Sequence, residues 1–270
     1  MPITVVGSVA FDAVSTPFAA SERMLGGAAV HFALAASFFD RVHVVGCVGE
    51  DFGEPDMDIM RSRGIDTSDI ARIAGGETFF WRGEYGWDLG TRDTLETRLG
   101  VFEDFRPSLS GASVASDVLF LANIQPALQR EVRAQMRDAR FVALDSMNLW
   151  IDIEKEALVE AIREVDCVIL NDAELRQLTA RPHLLGAAQA VLELGPRAVV
   201  AKQGEYGAAL ITAERFFSLP AFPLESVVDP TGAGDTFAGG FVGHLAARED
   251  WELSDETLRE AVAFGTALAS

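Results

Sequence analysis

Asp229-Pro230-Thr231-Gly232-Ala233-Gly234-Asp235-Thr236-Phe237 is the stretch of this 270-residue chain whose residue types could do chemistry together. An apolar run, Glu225 to Val228, precedes it, and a helical pattern begins near Thr236. The spacing therefore predicts a strand, a tight turn and a helix start. In such a turn the backbone N–H groups of Gly232, Ala233 and Gly234 can converge on one small space. Unpaired N–H groups and the positive end of the helix dipole make an anion site there. Asp235 sets a carboxylate beside it. A pocket for negative charge next to a base suits phosphoryl transfer to an alcohol, the base taking the hydroxyl proton. The shorter string Gly-x-Gly-Asp alone would fit equally a turn that only redirects the chain into an Asp-capped helix.

The elements that must position this stretch are legible in the hydrophobic pattern. From about residue 110 onward, short apolar runs alternate with helical patterns. Val118 to Leu121, Phe141 to Leu144, Cys167 to Leu170 and Ala198 to Ala201 read as buried parallel strands. Pro126 to Arg137, Lys155 to Glu164, Ala173 to Thr179 and Leu184 to Leu194 read as the helices between them. The N-terminal part shows the same rhythm once: a strand Ile3 to Val9, a helix from about Gly27 to Phe38, and a strand Val42 to Val48. Such alternation predicts an α/β fold with a doubly wound, mostly parallel sheet flanked by helices. Residues 71–105 break the rhythm. Thr78 to Arg82 and Thr94 to Leu99 look like strands there, and with residues 11–20 they predict a small inserted β lid. The aromatics Phe79, Phe80, Trp81, Tyr85 and Trp87 could form the lid's own core, a dimer contact or a cover for the substrate.

Length and composition fit one domain spanning residues 1–270 with ample core. Net charge is −19 and the only lysines are Lys155 and Lys202, which argues against nucleic acid as a partner. No apolar run reaches the 18 or so residues of a membrane span. The first residues have no basic n-region of a signal peptide, so a cytoplasmic location is expected. Cys47 and Cys167 sit inside apolar runs as small hydrophobes, with no disulfide or metal pattern.

The nine-residue string resembles the C-terminal signature of the PfkB/ribokinase family of small-molecule kinases, D-[TP]-[TV]-G-A-G-D-x-F. Other family elements follow in the expected order across residues 3 to 241. The resemblance implies a ribokinase-like fold with a β lid. It also implies an ATP-dependent, Mg²⁺-requiring kinase that phosphorylates a hydroxyl of a small sugar or nucleoside. In that scheme Asp235 is the general base, and the Gly232, Ala233 and Gly234 backbone holds the transferring phosphoryl oxygens.

Further site residues follow from the same resemblance. Gly26-Gly27 resembles the family's Gly-Gly, which lets a substrate hydroxyl approach the backbone. Where the family often carries Asn four residues later, this chain has His31, which is either a substrate partner or a partly buried helix residue. Asp12, just past the first strand, resembles an Asp that holds two substrate hydroxyls. A Glu expected near the end of the 118–121 strand is absent, leaving Asn123 or Gln125 in its place. Asp145-Ser146-Met147-Asn148 resembles a D-x-N element, in which Asn148 would line the site and Asp145 would be structural. Asn171 and Glu174 form a capping-box pattern and also match the family's N-x-x-E motif, where they organise waters around Mg²⁺. Lys202, Gly204 and Gly207 match a [TK]-x-G-x-x-G element close to ATP, and Thr231 would also contact ATP.

Substrate binding is thus expected at Asp12, Gly26, Gly27, His31, Asn123 and Asn148. A monovalent cation and a homodimer formed through the lid stay open. The missing Glu and the lid aromatics favour a nucleoside or an unusual polyol over ribose. The chain stops at Ser270, where relatives commonly run some thirty residues further through a wall of the adenine pocket. A truncated end is therefore an open alternative, and so is a non-catalytic, kinase-like nucleotide-binding or scaffold protein.

Overall fold

The structure, a computed structural model, describes residues 1–248 and 253–270. Among the described residues, two sheets carry thirteen strands. The main sheet contains β1 (Ile3–Val6), β4 (Val42–Val48), β5 (Asp66–Arg72), β8 (Val118–Leu121), β9 (Phe141–Leu144), β10 (Cys167–Asn171), β11 (Ala198–Lys202), β12 (Ala208–Thr212) and β13 (Phe216–Leu219). The lid sheet contains β2 (Ala10–Ser15), β3 (Ala20–Gly26), β6 (Phe79–Tyr85) and β7 (Arg92–Arg98). The main order is β13-β12-β11-β10-β9-β8-β1-β4-β5, parallel except at β12 and β13; the lid order is β3-β2-β6-β7.

Among the described residues, ten α-helices accompany the sheets: α1 (Ala28–Ala36), α2 (Glu54–Arg61), α3 (Gly111–Val114), α4 (Pro126–Gln135), α5 (Asn148–Ile153), α6 (Lys155–Ile162), α7 (Asp172–Thr179), α8 (Leu184–Leu192), α9 (Ala233–Ala246) and α10 (Asp255–Leu268). Every residue of β1, β4, β8 and β9 is buried, as strands covered on both faces must be. Alternation splits the core in two. Ile3, Val5 and Phe120 join α1, α9 and α10 on one face. Val6, Leu119 and Leu121 join α4, α6, α7 and α8 on the other. The helix layer changes face between β1 and β8, which are neighbours in the sheet. Open α/β sheets place ligands in the crevice at such a switch point, outside the carboxyl ends of the strands.

Four expectations change. The run Ile3 to Val9 is not one strand: β1 ends at Val6, and β2 starts at Ala10 and leaves for the lid. The lid also includes β3, which pairs with β2 from the far side, while residues 71 and 72 belong to β5 of the main sheet. Helix α2 and strand β5 add a further turn of the α/β rhythm that the pattern did not reveal. The run Glu225 to Val228 forms no strand. It lies in an irregular, exposed stretch beyond the sheet-edge strand β13, where no further strand offers hydrogen bonds and Pro220, Pro223 and Pro230 lack donors.

Candidate active site

The carboxyl ends of β9, β10 and β11 deliver three of the candidate residues together. Parallel pairing sets Asn171 beside Lys202, each the last residue of its strand. Asp145 follows the end of β9, and its Oδ2 accepts a hydrogen bond of 2.7 Å from Lys202 Nζ. The pair is nearly dry, with side-chain exposures of 17% for Lys202 and 4% for Asp145. Just beyond β10, Asn171 Oδ1 accepts from Glu174 N at 2.7 Å and Glu174 Oε2 accepts from Asn171 N at 2.9 Å. This reciprocal capping box opens α7 and holds Glu174 at the same sheet edge.

The start of α9 completes the cluster. Gly232 is its N-cap at φ +75°, a left-handed geometry that glycine adopts without a Cβ penalty. The helix begins earlier than the pattern suggests, with Ala233, Gly234 and Asp235 as its first three residues. Ala233 N–H already donates to Pro230 C=O at 3.1 Å. Gly232, Gly234 and Asp235 N–H have no backbone acceptor among the described residues. A Cβ on Gly234 would lie 3.2 Å from Lys202 Nζ, so the ammonium rests directly on the turn.

Electrostatics bind these groups into one unit. Burial pushes the Glu174 carboxyl up to about 7, with Asp145 adding to the rise and Lys202 opposing it. Burial likewise pushes Asp145 up to about 6 against the pull of Lys202. Asp235 is raised too, chiefly by burial, while Lys202, His31 and Arg92 favour its charged form. Burial disfavours the Lys202 ammonium, yet the carboxylates of Asp145, Glu174 and Asp235 outweigh it and raise its pKa. Buried carboxyls of raised pKa around one cation are the environment of a proton-accepting base.

The lid closes over this edge. Thr231 Oγ1 donates to Tyr85 Oη at 3.2 Å, and Thr16 Oγ1 donates to Val228 C=O at 2.9 Å. On the acceptor side Gly27, at φ +97°, brings its N–Cα backbone against Ser8, where any Cβ would strike the Ser8 carbonyl. Asp12, buried on β2, presses its carboxylate on Gly26. His31 Nε2 lies 3.9 Å from Asp12 Oδ2, and its ring packs on Gly232. Acceptor-side and phosphate-side candidates therefore meet at His31.

A family model described as pfkB family carbohydrate kinase matches residues 3–270. The chain belongs to that family. It is a phosphotransferase with an alcohol group as acceptor. The cytidine kinase of Thermococcus kodakarensis is 28% identical over 249 residues, covering 90% of this chain and 87% of that protein. The aminoimidazole riboside kinase of Salmonella typhimurium is 40% identical over 139 residues, covering 48% of this chain and 43% of that protein. Among solved structures, the adenosine kinase of Sinorhizobium meliloti superposes with a TM-score of 0.85 at 20% identity, covering 99% of this chain and 92% of that one. The last is a likeness of fold.

Of the remaining candidates of this PfkB kinase, Asn148, Asn123 and Gln125 have no contact with the cluster's side chains. Asn148 is exposed at the first turn of α5, whereas Asp145 occupies the buried pair with Lys202. Asn123 accepts from Trp150 Nε1 at 3.0 Å and is turned toward α5. Gln125 donates to Glu154 at 2.7 Å. Gly204 and Gly207 flank the short turn between β11 and β12, both at positive φ. Arg92 was missed as a site residue, and Tyr85 was read only as one of five lid aromatics that could cover the substrate. They face each other across β6 and β7, and only the folded lid carries them to Thr231 and toward Asp235. No group of three or more His, Cys, Asp or Glu side chains among the described residues could hold a metal directly. No described helix is long and apolar enough to cross a membrane.

Proposed function

We propose that this chain is an ATP-dependent kinase that transfers the γ-phosphoryl group to a hydroxyl of a nucleoside or related small sugar. The observation that carries this reading is the start of α9. Gly232, Gly234 and Asp235 have N–H groups without a backbone acceptor among the described residues, with Lys202 Nζ against the turn and the Asp235 carboxylate in the first helical turn. Asp235 is the general base: its raised pKa puts proton affinity where an alcohol must lose a proton. The turn's N–H groups and the helix dipole stabilise the charge on the transferring phosphoryl oxygens. Ala233 has a spacing role, since its N–H is engaged by Pro230.

Lys202 and the Gly204–Gly207 turn flank the phosphates of ATP, with Thr231 at the edge facing the lid. Asp12, Gly26, Gly27 and His31 hold the acceptor. Asn171 and Glu174 fit a Mg²⁺ ion held through its own waters. Glu174 uses Oε2 in the capping box and has Oε1 without a hydrogen-bond partner among the described residues. When bound, such an ion neutralises charge on the phosphate chain. The nucleoside preference is supported by the relatedness to the cytidine kinase over most of both chains. A second copy of the chain would dock on the lid, where β7 is exposed throughout, including Leu95, as is Leu99 just past its end.

Asp235→Asn tests this assignment. Transfer measured with a panel of nucleosides and sugars should fall by roughly 10²–10⁴-fold, the usual contribution of a general base. Nucleotide affinity, measured by calorimetry with Mg²⁺, should stay near that of the unaltered chain. Near-normal turnover would remove Asp235 as base.

A further inference from the structure

Gln129 is a fully buried polar side chain on α4, in the helix layer opposite α1 and α9. Its Nε2 donates to the carbonyls of Asp145 at 2.9 Å and Ala122 at 3.0 Å, and at 3.3 Å to Leu121. The amide could not be turned over, because its oxygen would then face three carbonyl oxygens. These carbonyls lie where β8 and β9 end. The parallel ladder stops at Leu121 and Leu144, and Asp145 N–H still reaches Leu121 C=O at 2.9 Å. Gln129 ties the two strand ends together just past that last pair.

The other half of the amide points to the reason. Gln129 Oε1 is buried with no hydrogen-bond partner among the described residues. A buried acceptor left unpaired works against folding, so the benefit of the side chain lies in where its donor holds the backbone. From that backbone, short contacts run to the site. Asp145 Oδ1 accepts from Ser146 N–H at 2.8 Å, and Oδ2 accepts from Lys202 Nζ at 2.7 Å. Asp145 is therefore fixed through its carbonyl and through both carboxylate oxygens. Lys202 Nζ in turn lies 3.2 Å from where a Cβ on Gly234 would stand, in the first turn of α9.

We propose that Gln129 is a positioning residue for phosphoryl transfer, which fixes the Asp145 backbone and thereby sets the Lys202 ammonium at the turn of α9. It touches no reacting atom. Its contribution is geometric, since misplacing a charge-stabilising group by about 1 Å can cost on the order of 100-fold in rate. This inference rests on the proposed role of Lys202 at the phosphates.

The lysine content of the chain gives a direct readout. Lys155 and Lys202 are the only lysines, the first exposed at the start of α6 and the second largely buried. Side-chain NMR of the full chain with isotope-labelled lysine therefore shows two environments, and Lys202→Met identifies which signal is Lys202. Gln129→Leu removes the donor at similar volume. Gln129→Glu keeps one donor, because a carboxyl buried there is neutral. Gln129→Leu should move the Lys202 signal toward that of Lys155 and lower kcat by roughly 10- to 100-fold, with acceptor KM within about twofold of the parent. Gln129→Glu should fall between parent and Gln129→Leu in both readings. Arg133→Ala, one turn further along α4, controls for a loosened helix and should change neither.

An unchanged Lys202 signal or an unchanged kcat in Gln129→Leu overturns the proposal, however far the melting temperature falls. Should Gln129→Leu not fold, parent values of both readings in Gln129→Glu overturn it equally. Near-normal turnover of Lys202→Met is a separate failure, which removes Lys202 from the phosphates and with it the reading beneath the proposal.

Discussion

The two ends of the central strands answer charge in opposite ways. At the carboxyl end, β9, β10 and β11 lead into Asp145, Glu174 and Lys202, with Asp235 beside them, packed out of water. At the amino end the same strands lead out of a shallow concavity lined by Arg133, Arg137, Arg163 and Arg197. There two of the guanidinium groups satisfy helix ends. Arg133 donates to Glu164 C=O just past α6 and to Met136 C=O just past α4. Arg137 donates to Ala134 C=O, and Arg163 pairs with Glu160 in the open, at side-chain exposures of 50% and 53%. Helix C-termini carry unpaired carbonyls and a negative dipole end, so arginines there serve stability and need no ligand. Buried carboxyls of raised pKa work against stability and imply a partner that compensates. A cluster of like residues is informative about function only where local structure leaves its charge unanswered.

The comparison breaks most sharply at Lys202. Lys202→Met leaves Asp145, Glu174 and Asp235 without their cation, and removal of one member of a buried pair costs about 3–5 kcal/mol. Denaturant unfolding should show a loss of that order at pH 8. The loss should be smaller at pH 5, where Asp145 takes up a proton. Equal losses at both pH values would mean that the pair is not the source.

Glu174→Gln sharpens the contrast with a change of sign. A carboxyl raised from its usual value to about 7 contributes stability that is complete below that usual value and is lost as pH rises through about 7. Asp145, raised to about 6, acts in the same direction. The unaltered chain without ligands should therefore lose thermal stability between about pH 4.5 and 7. Glu174→Gln should flatten part of that slope and melt higher than the parent at pH 8. His31, also raised, adds a loss that begins only above its usual range. The smallest effect belongs to the amino end. Arg133→Ala should cost about 1 kcal/mol through its carbonyl contacts, and Arg197→Ala less than about 0.5 kcal/mol, both with unchanged kcat and KM. A fall in turnover from either would make that face functional.

Much of the body was legible because parallel strands covered on both faces are continuous apolar runs: Val118 to Leu121 and Phe141 to Leu144 match β8 and β9 residue for residue. The capping box at Asn171 and Glu174 was legible for a local reason, since its partners are three residues apart. The run Glu225 to Val228 misled because apolar content was read as a strand, whereas a strand also needs an available neighbour. Strand β3 was hidden by its polar composition, as its sequence ASERMLG is exposed or half-buried before Gly26.

The site's acidic partners could not be ranked in advance. Asp145 and Asn148 share one short segment, and only its path off β9 decides that Asp145 meets Lys202 while Asn148 is exposed. Tyr85 and Arg92 reach the loop through the lid pairing, a contact across 146 residues in the case of Tyr85 and Thr231. By itself the sequence determined the α/β rhythm, the turn at Gly232 and the base candidate Asp235, because each depends on neighbours along the chain. The tertiary structure alone decided the unit around Lys202 and the unpaired Nε2 of His31. Those depend on distances between distant segments, and burial then sets which charges are costly.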